Sequence, residues 1–329
     1  MTITHFPHGI LATPNLPTSS GGSVSRYPGI WTSQIFFVDG SNGSDSNDGT
    51  SPDGALATIG QAISLVGVDD TIYIRPKTET QGWSDLDPRY ASYRAAYVEN
   101  VDIARFTKAG LSIIGTGNGH GCSGGSVTMA GAATADCTID IHAGFVNIEN
   151  IQFGWRTQQT TSASAVIRTI NGQTLDNAAS HSSFGTTINN CWFDRNHNAW
   201  GTILIASSAG HLIQNCQFDN CLTGIYMDSS DTTPDGVVIR NNSFCGGPAL
   251  IDTCIVMADV DDVWIENNIF GFVCPTHGAT NKYINAAGTV AGHLIGNYFA
   301  DASTEIATHN TLSNIAPAAN WCRNGQITT

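Results

Sequence analysis

The octets VVIRNNSF (237–244) and VWIENNIF (263–270) carry nearly the same letters, and both contain the core I-x-N-x-x-F. The same core recurs in VNIENIQF (146–153), TTINNCWF (186–193) and HLIQNCQF (211–218), and in a shortened form in HLIGNYF (293–299). The isoleucines of the core, which set the spacing, lie at positions 148, 188, 213, 239, 265 and 295. A repeat with a period of about 20 to 50 residues is typical of a solenoid, in which each repeat forms one coil.

A second short run of β-forming residues precedes the octets, as in TILIAS (202–207), GIYMD (224–228) and CIVMAD (254–259), with CTIDIHAG (137–144) further back. Each repeat therefore holds about three short strands and leaves no room for a helix, which excludes leucine-rich and helical solenoids. We predict a parallel β-helix, in which successive coils stack at the ~4.8 Å spacing of neighbouring strands.

The asparagine of the shared core has a structural reason. Asn tolerates the left-handed backbone conformation that a sharp corner between two strands requires, and stacked Asn amides can hydrogen-bond from coil to coil. The Ile before the corner and the Phe after it are expected to point inward and to build aliphatic and aromatic stacks. The predicted asparagine ladder consists of Asn150, Asn190, Asn215, Asn241, Asn267 and Asn297.

The repeat resembles that of the pectate-lyase-like superfamily of right-handed parallel β-helices, whose asparagine ladder lies between the second and third sheets. The resemblance covers residues 70–300 or so, and it implies an all-β solenoid. Within that superfamily, the region 36–76 is most similar to the start of β-helix proteins from phage virions. The motif is specific for the fold and leaves the function open, because this fold serves many functions.

The two ends of the chain depart from the repeat. Residues 1–34 are rich in Pro, Gly, Ser and Thr, so we expect an extended arm that is either disordered or ordered against a partner, and a partner is favoured. Residues 35–76 are expected to cover the open end of the solenoid, with a strand over 35–38 and a short helix. The helix has apolar residues at helical spacing and Asp53 as its N-cap. The β-helix proper is assigned to residues 77–312, and residues 313–329 are expected to form a C-terminal tail or cap.

The composition argues against several partners. The formal net charge is −14, which would repel nucleic acids and anionic membranes. The chain has no evident signal peptide and no apolar run of the ~18 residues that span a membrane. Its nine cysteines include no CxxC pair, so we expect reduced, mostly buried thiols, with disulfides as the less favoured alternative. No cofactor is predicted.

No complete catalytic set is evident, and one pair of carboxylates provides the alternative. Asp194 and Asp219 each follow a repeat Phe, so they should lie on adjacent coils roughly 5 Å apart, a separation that suits a retaining glycosidase. Arg195 and His197 lie nearby in the sequence and add a proton donor. The other interpretation, which we favour, is that the two carboxylates lie at a solvated corner without a catalytic role.

Two further groups of residues are candidates for a binding site. Asp39, Asp45 and Asp48 lie in a Gly/Ser/Asp-rich run that suggests calcium, but the run is one residue short of the EF-hand order, and a plain turn is favoured. Four aromatic residues that we expect to be exposed could fill an interface, simply pack or, as the least favoured role, stack on sugars. They are Trp83, Tyr90, Tyr93 and Tyr97.

Three functions follow from these observations. The first is a non-enzymatic structural protein on a phage virion, a decoration, cement, fibre or spike component assembled in the host cytoplasm. Residues 1–34 would bind other virion proteins, and the protein would be a homo-oligomer, with a trimer favoured. The second is a polysaccharide lyase or glycoside hydrolase of the tailspike type. The third is a carbohydrate-binding surface protein that contacts cell-surface polysaccharide without turnover.

Overall fold

The computed structural model describes residues 33–77, 96–104, 107–117, 126–132, 136–154, 165–170, 183–194, 201–206, 209–219, 221–228, 233–245, 253–271, 282–286, 288, 290–300, 310–311, 315–322 and 325–326. These ranges contain 28 short strands and one helix, α1 (Ile59–Leu65). The strands are β1 (Ile35–Asp39), β2 (Thr71–Arg75), β3 (Ala96–Val98), β4 (Val101–Ile103), β5 (Ser112–Gly115), β6 (Val127–Ala130), β7 (Ile139–Ile141), β8 (Asn147–Glu149), β9 (Ile151–Phe153), β10 (Ile167–Ile170), β11 (Thr187–Asn189), β12 (Trp192–Asp194), β13 (Ile203–Ala206), β14 (Leu212–Gln214), β15 (Gln217–Asp219), β16 (Thr223–Met227), β17 (Asp235–Arg240), β18 (Ser243–Cys245), β19 (Thr253–Met257), β20 (Val260–Glu266), β21 (Ile269–Phe270), β22 (Lys282–Ala286), β23 (Val290–Ile295), β24 (Tyr298–Phe299), β25 (Asn310–Thr311), β26 (Ile315–Ala318), β27 (Trp321–Cys322) and β28 (Gly325–Gln326).

The strands form three sheets, each of which takes one strand from a coil. Sheet 1 has the order β1-β2-β5-β8-β11-β14-β17-β20-β23-β26, sheet 2 the order β3-β6-β9-β12-β15-β18-β21-β24-β27-β28, and sheet 3 the order β4-β7-β10-β13-β16-β19-β22-β25. The paired strands are parallel except for β27 and β28, which form an antiparallel end to sheet 2. The predicted parallel solenoid is therefore confirmed. Its ten strands in sheet 1 span about 43 Å at the usual strand spacing.

The core lies inside the coils and consists of stacked side chains of one kind. The repeat phenylalanines pack ring on ring, with neighbouring centroids 4.7–5.1 Å apart and interplanar angles of 6–13°. The repeat isoleucines form a parallel column in sheet 1 that ends at Leu294. The predicted aliphatic and aromatic stacks are therefore present. The stacked rings are Phe153, Phe193, Phe218, Phe244, Phe270 and Phe299.

The turn between sheets 1 and 2, the first corner, uses the left-handed conformation as expected. Five ladder asparagines have φ between 50° and 59°: Asn150, Asn190, Asn215, Asn241 and Asn267. In the next coil this position belongs to Gly296, with φ 68°, because Ile295 pairs with Glu266 and Leu294 pairs with Ile265. The assignment of Asn297 to this ladder was therefore wrong by one residue, because Leu294 replaces the core isoleucine and the alignment followed Ile295 instead. The octet is in fact complete and reads GHLIGNYF (292–299).

Asn297 belongs instead to a second ladder, one residue after the first corner, that the sequence analysis missed. We call this column the inner ladder, because its asparagine side chains are buried. The Asn268 amide donates to the Ile239 carbonyl at 2.9 Å, and its Oδ1 accepts from the Asn242 backbone at 2.9 Å. Asn297 repeats this pattern one coil later. The inner ladder consists of Cys191, Cys216, Asn242, Asn268, Asn297 and Asn320.

The turn between sheets 3 and 1, the second corner, also uses the left-handed conformation in successive coils. Thr71 and its register partners in sheet 1 mark one position of the coil, and in seven coils the residue two positions before it has φ between 55° and 74°. Glycine is the most frequent residue here, because it adopts this conformation without steric cost. The column consists of Asp69, Gly110, Phe145, Gly185, Gly210, Gly236 and Asp262.

The N-terminal end of the solenoid is covered by residues 33–66. Helix α1 contacts β1 and β4, and its buried side chains join the core. Its N-cap is Thr58, whose hydroxyl accepts from the Gln61 backbone, so the assignment of Asp53 was wrong. The cap was displaced because Asp45 accepts three hydrogen bonds at residues 57 and 58 and fixes the helix start there. The backbone of Gln34 is tied to Asp70, so the ordered cap already includes residues that we had assigned to the arm.

The C-terminal residues continue the coils rather than leaving them. β26 adds to sheet 1, while β27 and β28 add to sheet 2. Seven cysteines in the described ranges are free thiols, six of them buried, as expected; Cys122 and Cys274 lie outside the described residues. Within these ranges no helix has the length and apolar character needed to cross a membrane.

Candidate functional site

The outer face of sheet 3 carries a cluster of charged side chains near the N-terminal end of the solenoid. Asp102, Asp140 and Arg168 occupy the same register position in β4, β7 and β10. In each strand the residues on either side of this position are buried Ile, Val or Thr, whose side chains point into the core. Because successive side chains of a strand point to opposite faces, Asp102, Asp140 and Arg168 point outward. His142 follows Asp140 by two residues and so lies on the same face. We call these four residues the ionic cluster.

Asp140 is the centre of the ionic cluster. The Arg168 guanidinium donates to both of its oxygens, with Nε 3.0 Å from Oδ1 and a second, shorter contact to Oδ2. His142 Nε2 lies 3.5 Å from Asp140 Oδ2 and 3.4 Å from Asp102 Oδ1. A bidentate pair of this kind fixes both partners in one geometry. Asp140 is thus held in place by two cationic groups, while the Asp102 side chain is 61% exposed.

The environment shifts the pKa values of Asp102, Asp140 and His142. Burial opposes ionisation of Asp140, but hydrogen bonds from His142 and Arg168 outweigh it, so the pKa of this carboxyl lies below its usual value. Burial also opposes protonation of His142, yet the two carboxylates hold the pKa of the imidazole above its usual value. Burial raises the pKa of Asp102, and the attraction of His142 only partly offsets it.

The chemistry available to the ionic cluster follows from this arrangement. With His142 protonated, two carboxylates face two cations and the charges balance. Asp140 and Arg168 satisfy each other, so neither is poised as a base or as an anion receptor. Asp102 is the accessible carboxyl, with the His142 imidazole beside it, so it can accept hydrogen bonds from hydroxyl groups or exchange a proton.

On the outer face of sheet 3, the register position of Asp102, Asp140 and Arg168 is occupied by apolar or aromatic residues in the next two coils. Leu204 and Tyr226 follow Arg168 in register, and Leu204 packs with Cys137, which lies beside the ionic cluster in a small second hydrophobic group. Burial raises the pKa of the Cys137 thiol to about 12, so it is not a nucleophile at neutral pH. The outer face of sheet 3 therefore runs from charged to apolar along the solenoid axis.

The predicted carboxylate pair lies on a different sheet. Asp194 and Asp219 are register partners in sheet 2, which confirms that they lie on adjacent coils. Asp194 is buried and Asp219 is half-buried, so the pair is not a pair of open, solvated carboxylates. Arg195 and His197 lie outside the described residues. The structure does not bring Asp194 or Asp219 to the ionic cluster, and their catalytic role stays a prediction.

The calcium candidates are used within the protein. Asp39 accepts from the backbone of Ser41 and Asn42 and from Arg75, while Asp45 binds the start of α1. Asp48 accepts from the Thr50 backbone at 3.0 Å. In the ranges that the structure describes, no three His, Cys, Asp or Glu side chains group as a metal site would require.

Of the aromatic candidates, only Tyr97 lies in a described range. Its ring is fully buried, and its hydroxyl donates to the Arg75 carbonyl and accepts from the Gly40 backbone. The expectation that Tyr97 is exposed was therefore wrong, because this ring fills the space under the N-terminal cap. Trp83, Tyr90 and Tyr93 lie outside the described residues.

Comparison with known structures decides the name of the fold. The chain is similar to a rhamnogalacturonan lyase, with a TM-score of 0.53, 12% identity, and coverage of 88% of this chain and 73% of the other. The fold is a right-handed parallel β-helix. At this identity the likeness establishes the β-helix alone and carries no activity across.

Two further β-helix structures resemble the chain more distantly. Pectate lyase Pel9A has a TM-score of 0.39 and 13% identity, with 89% of this chain and 80% of that chain covered. ORF18 of Geobacillus virus E2 has a TM-score of 0.39 and 12% identity, with 77% and 52% covered. No protein-family model matches the sequence, and no curated protein matches it.

Proposed function

We propose that this protein is a non-enzymatic structural component on the surface of a phage particle, held there by its N-terminal arm. The observation that carries the proposal is the cover at the N-terminal end of the solenoid. The described solenoid begins at Ser33, in the cap, and residues 33–66 already cover the first coil. Residues 1–32 are therefore assigned to a partner rather than to that cover, since a segment of this composition forms no core of its own.

The composition of the arm supports the same role. Residues 1–32 contain no Asp or Glu, so all 27 acidic residues of the chain belong to the remainder. A Pro-rich segment with scattered large apolar residues, in which Arg26 is the one Lys or Arg, suits binding along a protein surface, whereas the acidic β-helix stays soluble. Symmetric copies of the rod on the particle fit a cyclic oligomer, with a trimer favoured.

The test compares the whole chain with a form that lacks residues 2–32. Particles made from the encoding genome without this gene are mixed with each purified protein and sedimented. The full chain should co-sediment, while the truncated form should keep its thermal midpoint and remain in solution. A matched variant, with Phe6, Ile10, Leu11 and Trp31 changed to Ser, should also remain in solution. Co-sedimentation of the truncated form would contradict the proposal.

A second function, polysaccharide cleavage, is favoured by one observation. Asp102 is an exposed carboxyl whose Oδ1 lies 3.4 Å from His142 Nε2, on the outer face of sheet 3. The assay is incubation with host surface polysaccharide, followed by measurement of reducing ends and of unsaturated uronate absorbance. Turnover that is lost in Asp102→Asn and retained in Trp321→Ser would replace the structural proposal with an enzymatic one. Loss in Asp194→Asn instead would point to the sheet 2 pair.

A further inference from the structure

One position of the second corner departs from the others. Phe145 has φ 58°, where four other coils have glycine. A bulky aromatic residue in the left-handed region is a steric outlier, and such strain recurs at binding sites, where the surrounding structure holds it in place. The fold itself does not require Phe here, since Gly110 and Gly185 serve in the adjacent coils.

The Phe145 ring is neither buried nor isolated. It is 57% exposed, and it meets Phe184, which is 42% exposed, with centroids 4.7 Å apart and an interplanar angle of 83°. A Cβ added to Gly185 would lie 2.6 Å from the Phe145 ring, and one added to Gly144 would lie 3.2 Å from the Phe184 ring. Both rings thus rest against glycine backbone, which leaves a fixed aromatic pair open to solvent. We call this pair the corner platform.

The corner platform follows the ionic cluster closely along the chain. Phe145 comes three residues after His142, so their Cα atoms are at most about 10 Å apart. The Phe145 backbone N–H donates to the Phe184 carbonyl at 2.7 Å, which ties adjacent coils together beneath the rings. An exposed apolar surface therefore lies within three residues of a group of fixed hydrogen-bonding side chains.

This combination selects an amphipathic ligand. A pyranose ring presents C–H groups on its faces, which suit the negative face of an aromatic ring, and hydroxyl groups at its edge, which suit carboxylate and guanidinium groups. The ligand should be neutral, because Arg168 is already neutralised by Asp140 and the net charge of −14 repels anions. We propose that Phe145 and Phe184 form the platform of a binding site for a neutral glycan, with Asp102 as the accessible hydrogen-bonding side chain.

This site goes beyond the particle attachment proposed above and does not depend on it. Attachment is carried by residues 1–32, whereas glycan binding is carried by the second corner. The two assays use different variants, so either proposal can fail while the other stands. A protein ligand at the platform would appear as binding that neutral glycans do not supply.

The experiment is affinity electrophoresis of the full chain in gels that contain dextran, mannan, galactomannan or, as an anionic comparison, polygalacturonate. At least one neutral polymer should retard the protein, and polygalacturonate should not. Phe145→Gly should weaken the retardation at least tenfold without lowering the thermal midpoint, and Phe145→Asn should do the same. Tyr298→Ser, which removes an exposed ring in sheet 2, should bind like the unmodified chain.

Three results would overturn the proposal. One is the absence of retardation by every neutral polymer. Another is full affinity in both Phe145→Gly and Phe145→Asn, because the platform would then be dispensable. The third is equal loss in Tyr298→Ser, which would indicate nonspecific contact with exposed aromatic rings.

Discussion

The two corners of the coil solve the same backbone problem with different side chains. At the first corner, the left-handed Asn215 donates its N–H to the Arg240 carbonyl of the next coil at 3.2 Å. At the second corner, the left-handed Gly185 donates to the Ala209 carbonyl at 2.9 Å in the same way. The backbone therefore fixes the conformation at both corners, while the side chain is free to add something else.

The two corners differ in the hydrogen bonds that their side chains make. Asn215 donates to Asn189 at 2.8 Å, and the buried inner ladder behind the first corner bonds from coil to coil. The second corner has mostly glycine and adds no comparable ladder in the described residues. The first corner is therefore expected to stabilise the stack through its side chains, and the second corner can be varied with less effect on the fold.

The largest expected effect lies in the inner ladder. Asn268→Ala removes the acceptor of the Asn242 N–H and the donor to the Ile239 carbonyl, both in a buried site. Unsatisfied buried groups of this kind should lower the free energy of unfolding by about 2–4 kcal/mol. The measurement is urea unfolding followed by circular dichroism, with the exposed corner residue changed in Asn267→Ala as the matched control. Equal losses in both variants would show that burial of the ladder is irrelevant.

A smaller effect is expected at the second corner. Gly185→Ala forces Ala into φ 68° and places its Cβ 2.6 Å from the Phe145 ring, whereas Gly210→Ala, at φ 74°, meets no atom closer than 3.9 Å. We expect losses of ~2 kcal/mol for the first and ~1 kcal/mol for the second. Thermal midpoints of the two proteins provide the comparison. A larger fall of the thermal midpoint in Gly210→Ala than in Gly185→Ala would contradict the contact between Gly185 and the Phe145 ring.

A gain is expected where cysteine interrupts the inner ladder. The Cys216 thiol lies 3.7 Å from the Ile188 carbonyl, in the place where Asn242 donates to Ile213 at 3.0 Å. Cys216→Asn should exchange a weak S–H bond for an N–H bond and raise the free energy of unfolding by up to ~1 kcal/mol. Cys216→Ala is the control and should lower it. A loss in Cys216→Asn as large as in Cys216→Ala would mean that the site does not accept an amide.

The smallest effect concerns pH. The pKa of His142 is raised in the folded protein, so its stabilising charge is fully present below the unfolded pKa of ~6.5 and is lost as the pH rises through the folded value. The lowered pKa of Asp140 has the opposite sign and acts only in acid. The thermal midpoint of the unmodified chain should therefore exceed that of His142→Gln by more at about pH 6 than at about pH 8.5. A constant difference would contradict the assigned shift.

The sequence predicted the fold because the repeat states the geometry directly. An Ile, a corner Asn and a Phe at fixed offsets determine two inward stacks and one left-handed turn in every coil. The prediction failed at Asn297 because Leu294 replaces the core isoleucine and Ile295, one residue later, resembles it. Counting back from Phe299 places the corner at Gly296. The inner ladder could have been found from the residue after each corner Asn, which is Cys, Cys, Asn and Asn in four successive octets.

The repeat could not predict the candidate site, because the residues of the site do not belong to the repeated motif. Asp102, Asp140 and Arg168 come from different coils, with unequal insertions between them, and Arg168 does not share the aspartate of the other two. Phe145 likewise falls outside the quoted octets, in a turn whose register depends on the sheet 1 pairing. Residues that depart from the repeat carry the chemistry, and the sequence alone does not place them next to one another.

The central claim is that the corner backbone determines the fold while Phe145 is kept for a purpose other than stability. The most direct test compares the free energy of unfolding of Phe145→Gly with that of Asn215→Gly. Both place glycine in a left-handed position, so the backbone cost is relieved in each. We expect no loss for Phe145→Gly and a loss of about 1 kcal/mol for Asn215→Gly, which gives up its side-chain hydrogen bond to Asn189. A loss of ~2 kcal/mol or more in Phe145→Gly would contradict it, because the ring would then be needed for packing.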